Sequence, residues 1–360
     1  MGHVKGGVYL KKIMAVYDED PFYAERLSDY VNRKEKGVFQ AQAFTSRECL
    51  EEYAKMNEID VLLTGEATGF PEVDALRSAK TIYLAEDEVS AKGRSGGAGA
   101  EGRSEEKAST IYKYQSGDDI IREVMAAYCE LPGVKEGNPG LFSEEKKMIG
   151  VYSPVGRCGK TSLALAIGQV LAREEKVLFV TLDTFTGFGG LMDEKWKRDM
   201  SDLIYYYKQG RFHTLRMNTV IYYLGDMAWI PPIRFPDDYN QVSAEEMADM
   251  LLKMLQEGGY STMVLDIGNY GRQVIPLLDI CSVIYMPMKE DIISRSKLTE
   301  FEDYAKESGD QKLIGKVQKI HVPLVTGVRH KEHFPQELLW GDLGDFVRGM
   351  LKGQRGLWGH

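Results

Sequence analysis

The chain has 360 residues, 43% of them hydrophobic and 28% charged, with a net charge of −9 at pH 7. That length suits two domains, each with its own core, and the composition excludes a disordered, collagenous or membrane-embedded chain. The acidic balance gives no general attraction to nucleic acid, and no apolar run approaches the ~20 residues needed to span a bilayer. The four cysteines, Cys49, Cys129, Cys158 and Cys281, show no metal-ligand spacing. A reduced, cytoplasmic protein without disulfides or signal peptide is expected.

Residues 1–11 are glycine-rich and read as a tail. Residues 12–131 alternate strand and helix. Ile13–Val16, Val38–Ala41, Val61–Leu63, Thr81–Leu84 and Thr110–Tyr112 are the predicted strands, and residues 118–128 close with a helix. Five strands with intervening helices predict a parallel, doubly wound α/β sheet. Residues 86–109 hold one Val and no aromatic, Leu or Ile, so they read as a flexible insertion. Asp18-Glu19-Asp20-Pro21 follows the first strand, Thr64 ends the third and Lys113 follows the fifth. This half resembles the receiver domain of response regulators, which implies carboxylates gathered around Mg²⁺ and a lysine where Lys113 stands. The phosphoacceptor aspartate would fall at Thr64, whose hydroxyl cannot form the acyl phosphate. The resemblance therefore implies a degenerate receiver used for docking or dimerisation. Asp18, Glu19 and Asp20 read equally as a residual metal site or as a solvated helix start.

Residues 132–146, with Pro132-Gly133 and Asn138-Pro139-Gly140, read as a linker, and residues 147–360 as a second α/β domain. Its first strand, Met148–Val151, runs into Val155-Gly156-Arg157-Cys158-Gly159-Lys160-Thr161-Ser162 and then a helix from Leu163 to Leu171. Strand, glycine turn and helix make a phosphate cradle. The glycines let backbone N–H groups face phosphate oxygens, Lys160 reaches the terminal phosphates, and Thr161 ligates Mg²⁺ at a helix N-terminus. The next strand, Lys176–Asp183, delivers the Asp183 carboxylate to its C-terminal edge, the edge where open parallel sheets bind ligands. Thr184–Gly190 reads as a switch loop or as a plain glycine-rich connection. Met227–Pro232 is a predicted strand, and Ser243 with Glu246 is a capping box opening a helix to Leu255. Ser261–Asp266 is an apolar strand ending in a carboxylate suited to hold Mg²⁺ through water, with Gly268 free to meet a terminal phosphate. Strands follow at 282–287 and at 319–325, the latter an edge strand carrying Pro323, with a helix at 294–306 between them. His321, His330 and His333 lack metal spacing. The last apolar helix, residues 342–352, carries too little basic charge for a membrane surface and reads as docked on the core.

The loop resembles the deviant phosphate loop of the MinD/ParA ATPases, spelled KGGxGK[ST]. Val155 then stands at the signature lysine and Arg157 at the second glycine, while Asp183 matches the second aspartate of that family's DxD and Thr181 replaces the first. The order of parts resembles the CpaE/TadZ family of pilus assembly and localisation proteins. The resemblance implies a homodimer that binds ATP and Mg²⁺, sits at a cell pole and positions a pilus or secretion apparatus. It contacts a membrane only through partners and has slow or absent hydrolysis. On it Lys160 and Asp183 would serve catalysis, and Thr161 and Asp266 the metal. Two other readings stand beside this one: an actively cycling partition or division-site ATPase, and a receiver-containing signalling protein.

Overall fold

The computed structural model describes residues 11–34, 38–65, 78–87, 109–131, 146–192, 196–268, 274–307, 311–323 and 334–354. The expected tail and insertion, most of the linker, and His330 and His333 lie largely or wholly outside them. The chain divides into two compact units, Met1–Asn138 and Pro139–His360.

The first unit contains β1 (Lys12–Tyr17), α1 (Pro21–Arg33), β2 (Phe39–Phe44), α2 (Arg47–Met56), β3 (Ile59–Gly65), β4 (Ser78–Ala85), β5 (Ser109–Tyr112) and α3 (Gly117–Cys129). The strands form one parallel sheet in the order β2-β1-β3-β4-β5. Residues of β1 alternate between the two faces as the pleat requires. Met14 and Val16 join Leu27, Val31 and Val124 on one face, and Ala15 and Tyr17 join Leu50 and Leu62 on the other. The chain reverses its direction of growth at β1, and such switch points in α/β sheets open a crevice at the C-terminal strand ends. Asp18 stands there. Asp20 starts α1 by accepting from the Phe22 amide at 2.9 Å, with Pro21 as the first helical residue.

The second unit contains β6 (Lys147–Val151), α4 (Lys160–Leu171), β7 (Val177–Thr181), α5 (Phe188–Leu191), α6 (Met200–Lys208), α7 (Thr214–Asn218), β8 (Tyr222–Leu224) and β9 (Met227–Ile230). It continues with α8 (Ala244–Glu257), β10 (Thr262–Asp266), α9 (Val274–Asp279), β11 (Val283–Pro287), α10 (Ile292–Glu307), α11 (Gln311–Lys316), β12 (Val317–Ile320), α12 (Phe334–Trp340) and α13 (Asp342–Gln354). The sheet order is β12-β11-β6-β10-β7-β9-β8, parallel throughout except for the β8–β9 hairpin. Both units are thus doubly wound α/β sheets.

Two apolar layers cover the second sheet. On one face Leu178, Val180, Met263 and Leu265 meet Leu203, Ile204, Met250, Leu251 and Met254 from α6 and α8. On the other, Phe179 and Val264 meet Leu163 and Ile167 of α4 and Val347 of α13. The Ser243–Glu246 capping box forms in both directions, at 3.2 and 2.9 Å. Helix α13 buries Leu343, Val347 and Leu351 against α4. Two local readings shift. The predicted strand at 227–232 stops at Ile230 and is the second arm of a hairpin around Gly225, whose φ is 59°. The predicted edge strand at 319–325 occupies Val317–Ile320 instead, so Pro323 lies beyond it and no ladder hydrogen bond is forfeited. The segment after Phe235 coils into a short 3₁₀ turn, Pro236–Gln241.

Candidate functional site

Strands β6, β7 and β10 end level with one another, because Asp266 is the register partner of both Val151 and Thr181. Three loops therefore leave the sheet side by side: the phosphate loop after β6, the Asp183 segment after β7, and the Ile267–Gly268 segment after β10. Strand β6 is also the switch point of this sheet. The chain passes from it to β7 on one side, and β11 later packs on the other.

The loop is held by hydrogen bonds among its own groups. The Val155 amide donates to Ser153 Oγ at 3.1 Å, the Cys158 thiol to the Val155 carbonyl at 3.1 Å, and Lys160 Nζ reaches the Ser153 carbonyl at 3.4 Å. Val155, the residue at the signature-lysine position, points inward and is 4% exposed. Its amide is already engaged, so it is not free to face a phosphate. Gly159 caps α4 at φ 84°, a left-handed conformation that glycine adopts without steric cost. No side chain caps the helix, so the first-turn amides of α4 stay available to an anion at the positive end of the helix dipole. Arg157 also has a positive φ, 55°, at a cost of about 1 to 2 kcal/mol for a residue bearing a Cβ.

Asp266 is 0% exposed. Its Oδ2 accepts from the Thr181 hydroxyl at 3.1 Å, while Oδ1 is buried with no hydrogen-bond partner among the described residues. Burial raises its pKa to about 6, with the Asp183 charge adding to the rise. The hydroxyls of Thr161 and Thr181 and the Lys160 ammonium pull the other way. A buried carboxylate with one unsatisfied oxygen beside a helix-start threonine suits a hydrated divalent cation, which would supply the missing partner. The residues present therefore fit Mg²⁺, with Thr161 and Asp266 as its protein contacts. Thr181 supplies what sequence reasoning missed: the residue that looks like a lost carboxylate orients the aspartate that would hold the metal.

Asp183 turns its Oδ1 to the Thr184 amide at 2.9 Å, and its own amide donates to Thr181 Oγ1 at 3.3 Å. Gly268 approaches this residue so closely that a Cβ would lie 2.7 Å from Asp183 Cα and 3.0 Å from the Leu182 carbonyl oxygen. Lys160, Thr161, Asp183 and Asp266 thus share one edge of the sheet, and Gly156 to Ser162 line the turn beside them. In the first unit, Lys113 and Asp18 form a buried ion pair, with Nζ 3.0 Å from Oδ1 and 2.8 Å from Oδ2. The ammonium also lies 4.6 Å from the Tyr23 ring centroid. Burial pulls the Lys113 pKa down, but the hydrogen bond and charge of Asp18 outweigh it and the net shift is upward. Thr64, where a phosphoacceptor would stand, is completely buried.

No family model matches the chain, and no curated protein matches it. Among solved structures it is similar to a ParA family ATPase from Chlorobium tepidum, at 15% identity and a TM-score of 0.47, covering 57% of this chain and 97% of that one. It is also similar to a putative plasmid partition protein from Borrelia burgdorferi bound to AMPPNP, at 15% identity and a TM-score of 0.40, over 57% and 89% of the two chains. A Cyanothece McdA variant in complex with ATP is similar at 13% identity and a TM-score of 0.40, over 55% and 79%. No described helix is long and apolar enough to cross a membrane.

Proposed function

We propose that the second unit binds ATP with Mg²⁺ in the phosphate loop and works as a nucleotide-switched positioning factor of the ParA/MinD type. The observation that carries this reading is the buried Asp266 carboxylate, its Oδ1 unpartnered, facing the uncapped start of α4 with Thr161 and Lys160. The Gly156 to Gly159 amides receive the phosphates, Lys160 neutralises the β- and γ-phosphates, and Thr161 with Asp266 holds the metal. Asp183 orients water at the terminal phosphate. When bound, the metal supplies positive charge between the phosphate oxygens.

Self-association fits the surface of the same edge. Phe185 follows β7, Phe235 follows β9, and Ile292 and Ile293 follow β11, with exposures of 84%, 65%, 80% and 66%. Large apolar side chains left in water on a ligand-binding edge suit a nucleotide-stabilised homodimer. In the finer reading the dimer resembles CpaE/TadZ proteins, sits at a cell pole and positions a pilus or secretion apparatus. The first unit then acts as a docking module and not as a phosphoacceptor. The Lys113–Asp18 pair, which engages the lysine at the receiver position, and the buried Thr64 support that role. With Val155 at the signature position, hydrolysis is slow or absent. The retained Asp183 carboxylate favours a second reading, an actively cycling ATPase.

Calorimetry tests the site: the wild type binds ATP with Mg²⁺, and Lys160→Ala loses that binding while remaining folded. Equal affinity in the two proteins removes the assignment. Light scattering with and without ATP reports the dimer, and phosphate release on the same sample separates a slow switch from a cycling enzyme.

A further inference from the structure

Arg157 stands three residues before Lys160, on the turn of the phosphate loop. Among the described residues it is the one non-glycine with positive φ. Left-handed backbone suits glycine, so an arginine here keeps strain that the simplest substitution would remove. Its side chain is exposed, and no described residue gives its guanidinium an ion pair, a hydrogen bond or an aromatic face. Other cations of this unit do have partners: Lys160 reaches the Ser153 carbonyl, and Arg216 stacks on Tyr206 at 4.5 Å. Strain at a functional loop persists where the surroundings or the function hold it in place. Here the side chain is the one best shaped for phosphate oxygens, since guanidinium donors match them in a fork.

We propose that Arg157 is a second phosphate-binding cation of this loop. Its guanidinium closes over the phosphate oxygens of a nucleotide seated on the turn, and supplies the charge that the inward-facing Val155 cannot. The proposal rests on the nucleotide reading given above. It explains why the turn carries arginine at a left-handed position although Gly156 and Gly159 show that glycine serves elsewhere in the same loop.

The test is calorimetric titration of the full chain with ATP and Mg²⁺ at low and high salt, with melting curves of each variant. Arg157→Gln keeps the backbone strain and removes the charge. It is expected to weaken ATP binding about tenfold or more, and to flatten the salt dependence. Arg157→Lys should recover much of the loss. Arg157→Gly should bind as weakly as the glutamine variant while melting at or above the wild-type temperature. Glutamine-variant affinity within about twofold of wild type at both salts overturns the proposal. If that result comes with loss of binding in Lys160→Ala, the nucleotide site stands and the role of Arg157 alone fails. If the wild type binds no ATP, both fall together.

Discussion

Thr181 donates its hydroxyl to Asp266 Oδ2 across the seam between β7 and β10, at 3.1 Å, while the second carboxylate oxygen is buried with no hydrogen-bond partner among the described residues. On the proposed reading the pair fixes which oxygen would face the metal. Thr181→Val keeps the shape of the strand and removes the donor, so Asp266 is left buried without the hydrogen bond that holds Oδ2. The variant is expected to lose about 1 to 3 kcal/mol of stability, read by urea unfolding. Its ATP affinity should also depend less on Mg²⁺, because the carboxylate is free to rotate.

Asp266 is strained by its own charge when no ligand is present. Its folded pKa, about 6, lies above that of an exposed aspartate, so the folded protein holds the protonated form more favourably than the unfolded chain does. That contribution is complete below about pH 4 and disappears as pH rises through 6. Asp266→Asn should therefore melt above the wild type at pH 7.5 and lose that advantage near pH 4. A difference independent of pH would show that the carboxylate is not the titrating group.

Gly268 and Gly156 make a matched pair of tests. A methyl group at Gly268 meets Asp183 Cα and the Leu182 carbonyl, both backbone atoms that cannot swing aside, whereas nothing lies within 4 Å of a methyl at Gly156. Gly268→Ala is expected to cost about 1 to 3 kcal/mol and to displace Asp183, lowering any phosphate release. Gly156→Ala should leave stability within about 0.5 kcal/mol. Equal effects at the two positions would refute the close approach.

In the first unit, Lys113→Met leaves Asp18 buried without its counter-charge, which costs about 3 kcal/mol or more. Hydrogen exchange in the full chain should show β1 and β5 losing protection. Asp18→Asn combined with Lys113→Met should restore most of it, since the uncompensated charge and not the missing contact carries the cost. If the double variant exchanges as fast as the single one, the pair is not the clasp between these strands.

Much of this architecture was legible in the chain. Apolar runs ending in Asp183 and Asp266, and a glycine turn between strand and helix, carry their own periodicity and chemistry. The β8–β9 hairpin was not, because Tyr222–Leu224 is too short to show an alternating pattern and its turn hangs on Gly225. Two further features depend on residues far apart in sequence. Thr181 meets Asp266 across 85 positions and Lys113 meets Asp18 across 95, and no local pattern says that either pair meets. Asp18 looked like a solvated or metal-binding acid until its neighbour was visible. The left-handed backbone at Arg157 was hidden for a different reason, since nothing about an arginine advertises it.

Helix α4, which carries Lys160 and Thr161, is enclosed along its length. Leu163 to Gln169 are all buried, Gln169 donates to the Pro335 carbonyl at 3.0 Å, and a methyl at Gly168 would run into the Met227 sulfur. The chain's last helices thus clamp the floor of the cradle in place. On the proposed nucleotide reading, adjustment around a guest falls to the Thr184–Gly187 segment after Asp183, while the floor stays still.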